Sequence, residues 1–211
     1  MREFWPEIIT RASWEGLQAL SKELDFVLIG GWAAFMWTGK HKSRDIDIVV
    51  DHKALSYLKQ KYILEKNPQL KKYEIKKGEF DIDIYVPFFS RLAIPPQDIL
   101  QRHCRAVQGI RVAKPEALLV LKQAAFEDRK GSMKGKKDEI DIAAILIYAD
   151  CNLKHYRALL EEYGKAGFAV ELKKIVRNFS PRELEYLGMD FNAFKAWQKR
   201  KLEEIGKELG V

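Results

Sequence analysis

The chain has 211 residues and a mass of 24.5 kDa, with 37 Lys plus Arg against 30 Asp plus Glu and a formal charge of +7. Apolar residues at 47%, charged residues at 32% and five Trp are globular proportions, which exclude a disordered or low-complexity chain. No run approaches the ~18 apolar residues of a membrane span, and Met1 to Thr10 lacks the apolar core of a leader. Cys104 and Cys151 have neither a CxxC nor a His pair beside them. A soluble cytoplasmic protein without a disulfide framework or zinc site is therefore expected. The positive balance favours anionic partners such as nucleotides or RNA, although a surface laced with ion pairs can be basic without such a role.

Pro6 and the spacing of Ile8, Ile9, Leu17, Leu20 and Leu24 predict a helix from Pro6 to Leu24. Phe26 to Ile29 reads as a strand, Gly30-Gly31 as a tight turn and Trp32 to Trp37 as a helix. Asp45 to Val50 alternates Asp, Ile, Asp, Ile, a strand with acids on one face and apolar residues on the other. Lys53 to Leu64 is a helix ended by Asn67-Pro68, and Lys77-Gly78 joins two strands, Lys72 to Lys76 and Glu79 to Val86. The second of these repeats the alternation as Asp81, Ile82, Asp83, Ile84. A short helix starts at Pro95-Pro96, and Cys104 to Val112 around Gly109 reads as a further strand or hairpin. From Pro115 the period turns helical: Pro115 to Arg129, Asp138 to Ala149, Leu153 to Tyr163, Phe168 to Asn178, Pro181 to Leu187 and Asp190 to Leu209. Lys130 to Lys137, with Gly131 and Gly135, is expected to be mobile and exposed. The organisation expected is an α/β part over residues 1–112 and an all-α part over residues 113–211.

Asp is disfavoured in strands and like charges on one sheet face repel, so four such acids call for a cation or a solvated face. Residues i and i+2 of a strand point the same way, about 6.6 Å apart at ~3.3 Å per residue, which lets Asp45 and Asp47 converge on bound ions. Carboxylates and water suit Mg²⁺, and a two-metal phosphoryl-transfer site needs roughly three carboxylates. The third would be Asp83 or Asp81, if the two acid strands are neighbours. Gly30-Gly31 would bring backbone N–H groups and the positive end of a helix toward phosphate.

Ile29-Gly30-Gly31-Trp32 followed by Ser43-Arg44-Asp45-Ile46-Asp47-Ile48 resembles the GG/GS and hDxDh motifs of the DNA polymerase β-like nucleotidyltransferase superfamily. It is most similar to minimal bacterial and archaeal members, including toxin-type proteins of abortive-infection (toxin-antitoxin) systems. The resemblance covers Phe26 to Val86. It implies a mixed β-sheet core flanked by helices, an NTP (ATP in many members) bound with two Mg²⁺ ions, and nucleotidyl transfer to a hydroxyl with release of pyrophosphate. By resemblance, Asp45 and Asp47 hold the metals, and the third carboxylate, which deprotonates the acceptor, is Asp83 or else Asp81.

Where many members have Gly-Ser, this chain has Gly31-Trp32, and Ser43 is the candidate to supply the hydroxyl. Lys122, Asp138 and Asp141 are similar to downstream Lys and Asp motifs of those relatives, with Lys122 a candidate phosphate ligand. A snorkelling Lys and a solvated helix start are the structural account of the same residues. Lys40, Lys42 and Arg44 could contact triphosphate or acceptor, whereas the seven Lys from Lys59 to Lys77 read as a solvated face. The expected acceptor is a tRNA or other RNA end, a protein side chain or a small molecule, and a partner protein or homo-oligomer is within the family's range. The alternative is a non-catalytic, antitoxin-like nucleotide- or RNA-binding regulator on the same fold.

Overall fold

The computed structural model describes residues 3–211. The chain divides into two units, one of Trp5–Met36 and Lys42–Lys114, the other of residues 3–4, Trp37–His41 and Pro115–Val211.

The first unit is built on a mixed seven-stranded sheet. In chain order its elements are α1 (Glu7–Ser21), β1 (Val27–Ile29), α2 (Gly30–Thr38, which runs out of the unit at its end), β2 (Ile46–Val49) and α3 (His52–Lys61), then β3 (Glu65–Asn67), β4 (Lys72–Lys76), β5 (Asp81–Tyr85), α4 (Pro96–Gln101), β6 (Cys104–Val107) and β7 (Ile110–Ala113). The strand order is β3-β4-β5-β2-β1-β7-β6. β2 runs parallel to β5 and β1 parallel to β7, while the other neighbouring pairs are antiparallel. Ile46, Ile48, Ile82 and Ile84 are buried, while Asp47, Asp81, Asp83 and Tyr85 are half-buried on the opposite face. That division is what a period of two dictates. Leu55 and Leu58 are the buried positions of α3. Gln108 and Gly109 close the β6–β7 hairpin with φ of 50° and 81°, the left-handed pair a two-residue turn requires.

Trp32 is a core residue. Its indole N–H donates to Ser13 Oγ at 2.8 Å, and its ring packs on Trp14 and Phe35 at 4.9 and 5.3 Å. The departure from Gly-Ser at this point thus anchors α1 to α2.

One expectation for this unit needs correction: Glu65–Asn67 forms an edge strand rather than the tail of α3. Gly30, with φ +69°, makes the expected turn out of β1 and is also the first residue of α2. The β3 sequence Glu-Lys-Asn has no apolar alternation to announce it.

The second unit is helical: α5 (Pro115–Asp128), α6 (Met133–Tyr148), α7 (Leu153–Glu162), α8 (Gly167–Asn178), a 3₁₀ turn (Pro181–Glu183), α9 (Leu184–Leu187) and α10 (Phe191–Leu209). α5 packs against α6 and α7, and α10 against α7 and α8. Pro115 through Val120 are all buried, which makes α5 the central helix of this unit. Lys130 to Lys134 are exposed, as expected, but from Met133 onward the segment is the start of α6 rather than a loop. Ser132 accepts from the Gly135 N–H at 3.0 Å and caps α6, and Lys137 is buried within it. Among the described residues no helix is long and apolar enough to cross a membrane.

His41 lies in this unit, fully buried and edge-on to Tyr186 at 5.6 Å. Burial, with the nearby charge of Lys137 opposed by that of Asp141, lowers its pKa from 6.5 to about 4. A base depressed in the folded state contributes stability that is present above its unfolded pKa and lost as pH falls toward the folded one. At 1.36 kcal/mol per unit the loss between pH 6.5 and 4 is about 3 kcal/mol. Urea unfolding across that range should show it in the wild type and a flatter profile in His41→Asn, whose side chain does not titrate.

Candidate active site

The register of the sheet assembles the acids. Asp47 on β2 is the direct partner of Asp83 on β5, and Asp83 is in turn the partner of Glu74 on β4. Asp45 precedes Asp47 by two residues, and the Asp81 N–H donates to Asp45 Oδ1 at 3.2 Å. Asp45, Asp47, Glu74, Asp81 and Asp83 therefore share one sheet face, at the level where β1 ends and α2 begins: Ile29 pairs with Asp47.

Packing around Asp47 and Ser43 accounts for both glycines. Gly30 has φ +69°, and a Cβ there would overlap Asp47 Oδ2. A Cβ on Gly31 would stand 2.5 Å from Ser43 Oγ. Side chains at these positions would drive the Asp47 carboxylate and the Ser43 hydroxyl away from the start of α2, where backbone N–H groups are available to an anion.

Three cations hold the acids in place. Lys72 Nζ lies 2.6 Å from Asp83 Oδ2 and 2.8 Å from Glu74 Oε1. Arg44 Nε lies 3.0 Å from Asp45 Oδ1, and Lys76 Nζ lies 2.9 Å from Asp81 Oδ2. Burial disfavours the charge on Lys72, but its hydrogen bonds to Asp83 and Glu74 win and hold its pKa above the ordinary lysine value. Burial pushes the Asp83 carboxyl upward, with Glu74 and Asp45 adding to the effect and Lys72 opposing it. Asp83 Oδ1 is buried and has no hydrogen-bond partner.

The donor chemistry suits a hard divalent cation, since carboxylates on one face and an unsatisfied buried carboxylate oxygen are what such an ion takes. Among the described residues no three His, Cys, Asp or Glu side chains already form a cluster able to hold a metal ion. Asp83 and Asp45 are turned instead to Lys72 and Arg44.

Lys122, Asp138 and Asp141 come together in the helical unit. Lys122 Nζ lies 3.0 Å from Asp138 Oδ1 and 2.7 Å from Asp141 Oδ2, all three buried. Lys137 Nζ lies 2.5 Å from Asp141 Oδ1, and Arg129 Nη2 lies 2.7 Å from Asp138 Oδ2. Despite burial, which raises it, the Asp141 pKa is held down by Lys122 and Lys137.

The resemblance did not single out Lys72 or Glu74. The signal was present: antiparallel pairing across Lys77-Gly78 puts Lys72, Glu74 and Lys76 on the face of Asp81 and Asp83.

No protein-family model matches the chain, and no curated protein matches it. Among solved structures it is similar to JHP933 from Helicobacter pylori, with TM-score 0.54 and 17% identity over 95% of this chain and 93% of that one. It is also similar to the antibiotic-resistance factor ANT(2'')-Ia in solution, with TM-score 0.54 and 14% identity over 76% of this chain and 94% of that one. The same factor in complex with adenylyl-2''-tobramycin gives TM-score 0.50 and 13% identity over 75% and 98%. At these identities the likeness is one of fold, a mixed sheet flanked by helices.

Removing one member of a buried ion-pair network costs about 3–5 kcal/mol. Lys122→Met should lower the unfolding free energy by that order in urea titration. Unchanged stability would mean the ammonium is not a structural counter-charge.

Proposed function

We propose that the chain is a nucleotidyltransferase that moves a nucleoside monophosphate from an NTP to a hydroxyl acceptor and releases pyrophosphate. The observation that carries this reading is the pairing of Asp47 with Asp83, with Asp45 on the same face, beside the glycine start of α2. Asp45, Asp47 and Asp83 are the residues to hold divalent ions, Mg²⁺ by donor type. Such ions supply charge neutralisation at the phosphoryl oxygens.

The protein groups do the rest. The backbone N–H groups at Gly30 and Gly31 orient the triphosphate, with the Ser43 hydroxyl next to them. Asp83 takes the proton of the acceptor hydroxyl as that oxygen bonds to the α-phosphorus and the bond to the β-phosphate oxygen breaks. A carboxyl raised by burial is suited to this, because its proton affinity lies closer to that of a neutral solution. Of the two candidates for the third carboxylate, the register favours Asp83, the direct partner of Asp47. Lys72 keeps Asp83 in place until substrate arrives.

The lysine pairing also supports a second reading. If Lys72 never releases Asp83, the face binds nucleotide without transfer, as a regulator would.

Incubation with each α-³²P-labelled NTP, Mg²⁺ and a cell extract tests the choice. The first reading predicts label in RNA, protein or a small molecule, reduced by about a hundredfold or more in Asp45→Asn/Asp47→Asn. Nucleotide binding without label transfer in the wild type would move the assignment to the second reading. Transfer unaffected by the double substitution would contradict both.

A further inference from the structure

α3, β3, β4 and the loop after β5 carry a chemistry separate from the carboxylates. Between Lys59 and Lys77 stand seven Lys against Glu65 and Glu74. Three are engaged, Lys61 with Glu23, Lys72 with Asp83 and Glu74, and Lys76 with Asp81. Lys59, Lys66, Lys71 and Lys77 form no ion pair among the described residues, and each lies over an aromatic ring instead. Lys59 is 5.1 Å from the Tyr73 ring, Lys66 and Lys71 are 4.8 and 5.8 Å from Phe89, and Lys77 is 4.5 Å from Tyr62. Beside Phe89, the Phe88 side chain is 90% exposed on a backbone with φ +64°, a conformation that costs a bulky residue energy. Its ring lies within 5° of parallel to the exposed His52 ring, with centroids 6.2 Å apart.

The combination is selective. A protein interface buries its aromatics among few lysines, and an acidic peptide would use the lysines but leave the exposed Phe88 ring unexplained. In a duplex the base faces are covered, so a ring held flat and open to solvent suits an unpaired base. We propose that this surface binds a single-stranded nucleic acid, with its phosphates on Lys59, Lys66, Lys71 and Lys77 and a base stacked on the Phe88–His52 pair. The inference goes beyond nucleotidyl transfer and does not depend on it, although a strand held here would be a source of acceptor hydroxyls.

The test is fluorescence anisotropy on the full chain with labelled oligouridylate and oligodeoxythymidylate of about 12 nucleotides, and a duplex of equal length. The two single strands should bind alike, because neither the rings nor the lysines read the sugar, and both more tightly than the duplex, whose base faces are covered. Phe88→Ala should weaken strand binding about tenfold, in the range of one stacked base. The triple substitution Lys59→Gln, Lys66→Gln, Lys71→Gln should reduce the slope of log K against log salt by about 2, at ~0.7 for each phosphate no longer neutralised. Circular dichroism melts check that the variants fold, and Phe88→Leu, which keeps apolar bulk but removes the ring, serves if alanine destabilises the loop. Asp45→Asn/Asp47→Asn should bind the strand like the wild type, which separates this surface from the transfer chemistry. No strand binding at low salt, equal affinity for duplex and strand, or wild-type binding by both Phe88 variants would overturn the proposal.

Discussion

The rest of the structure depends on one strand pairing, β2 parallel to β5 in a register that sets Asp47 beside Asp83. Two carboxylates side by side on a sheet repel, and a face that also carries Asp45, Glu74 and Asp81 compounds the repulsion. The pairing is sustained because Ile46, Ile48, Ile82 and Ile84 bury the opposite face and because Arg44, Lys72 and Lys76 lie among the acids.

The neighbouring elements follow from that face. β1 pairs with β2 so that Ile29 meets Asp47, and the chain then turns directly into α2. Only glycine fits at Gly30, where φ is positive and Asp47 fills the space a Cβ would take, and Ser43 crowds Gly31 in the same way. Trp32 can then turn into the core, where Ser13 and Trp14 receive it. The residue that breaks the Gly-Ser pattern thus fastens α2, while Ser43 is the hydroxyl left beside the glycines.

Much of this was legible in the sequence, and the reasons differ by element. The acid strands announce themselves because Asp-Ile-Asp-Ile divides charge from apolar surface with a period of two, and the hairpin between β4 and β5 is set by Lys77-Gly78. The register was not legible, since alternation says which residues share a face but not which strand lies next to which. Hence the sequence leaves Asp81 and Asp83 open as the third carboxylate, and the pairing of Asp83 with Asp47 is what supports proposing Asp83. β3 escaped because Glu65, Lys66 and Asn67 form an edge with no buried side, and the start of α6 escaped because Gly135 and its lysines read as a breaker. Lys72 was hidden within a lysine run that is solvated over much of its length. Lys122, Asp138 and Asp141 stand out in sequence as a ligand-like set, but whether such a set faces solvent or neutralises itself in the interior depends on helix packing that periodicity does not encode.

The central claim is that the acid face is a cation site with Lys72 as its built-in counter-charge, and Mn²⁺ titration followed by electron paramagnetic resonance tests it most directly. Asp47→Asn should weaken Mn²⁺ binding by about tenfold or more, and Lys72→Met should tighten it by a similar factor, because the ammonium no longer competes for Asp83. Mn²⁺ affinity unchanged in both variants would contradict the account.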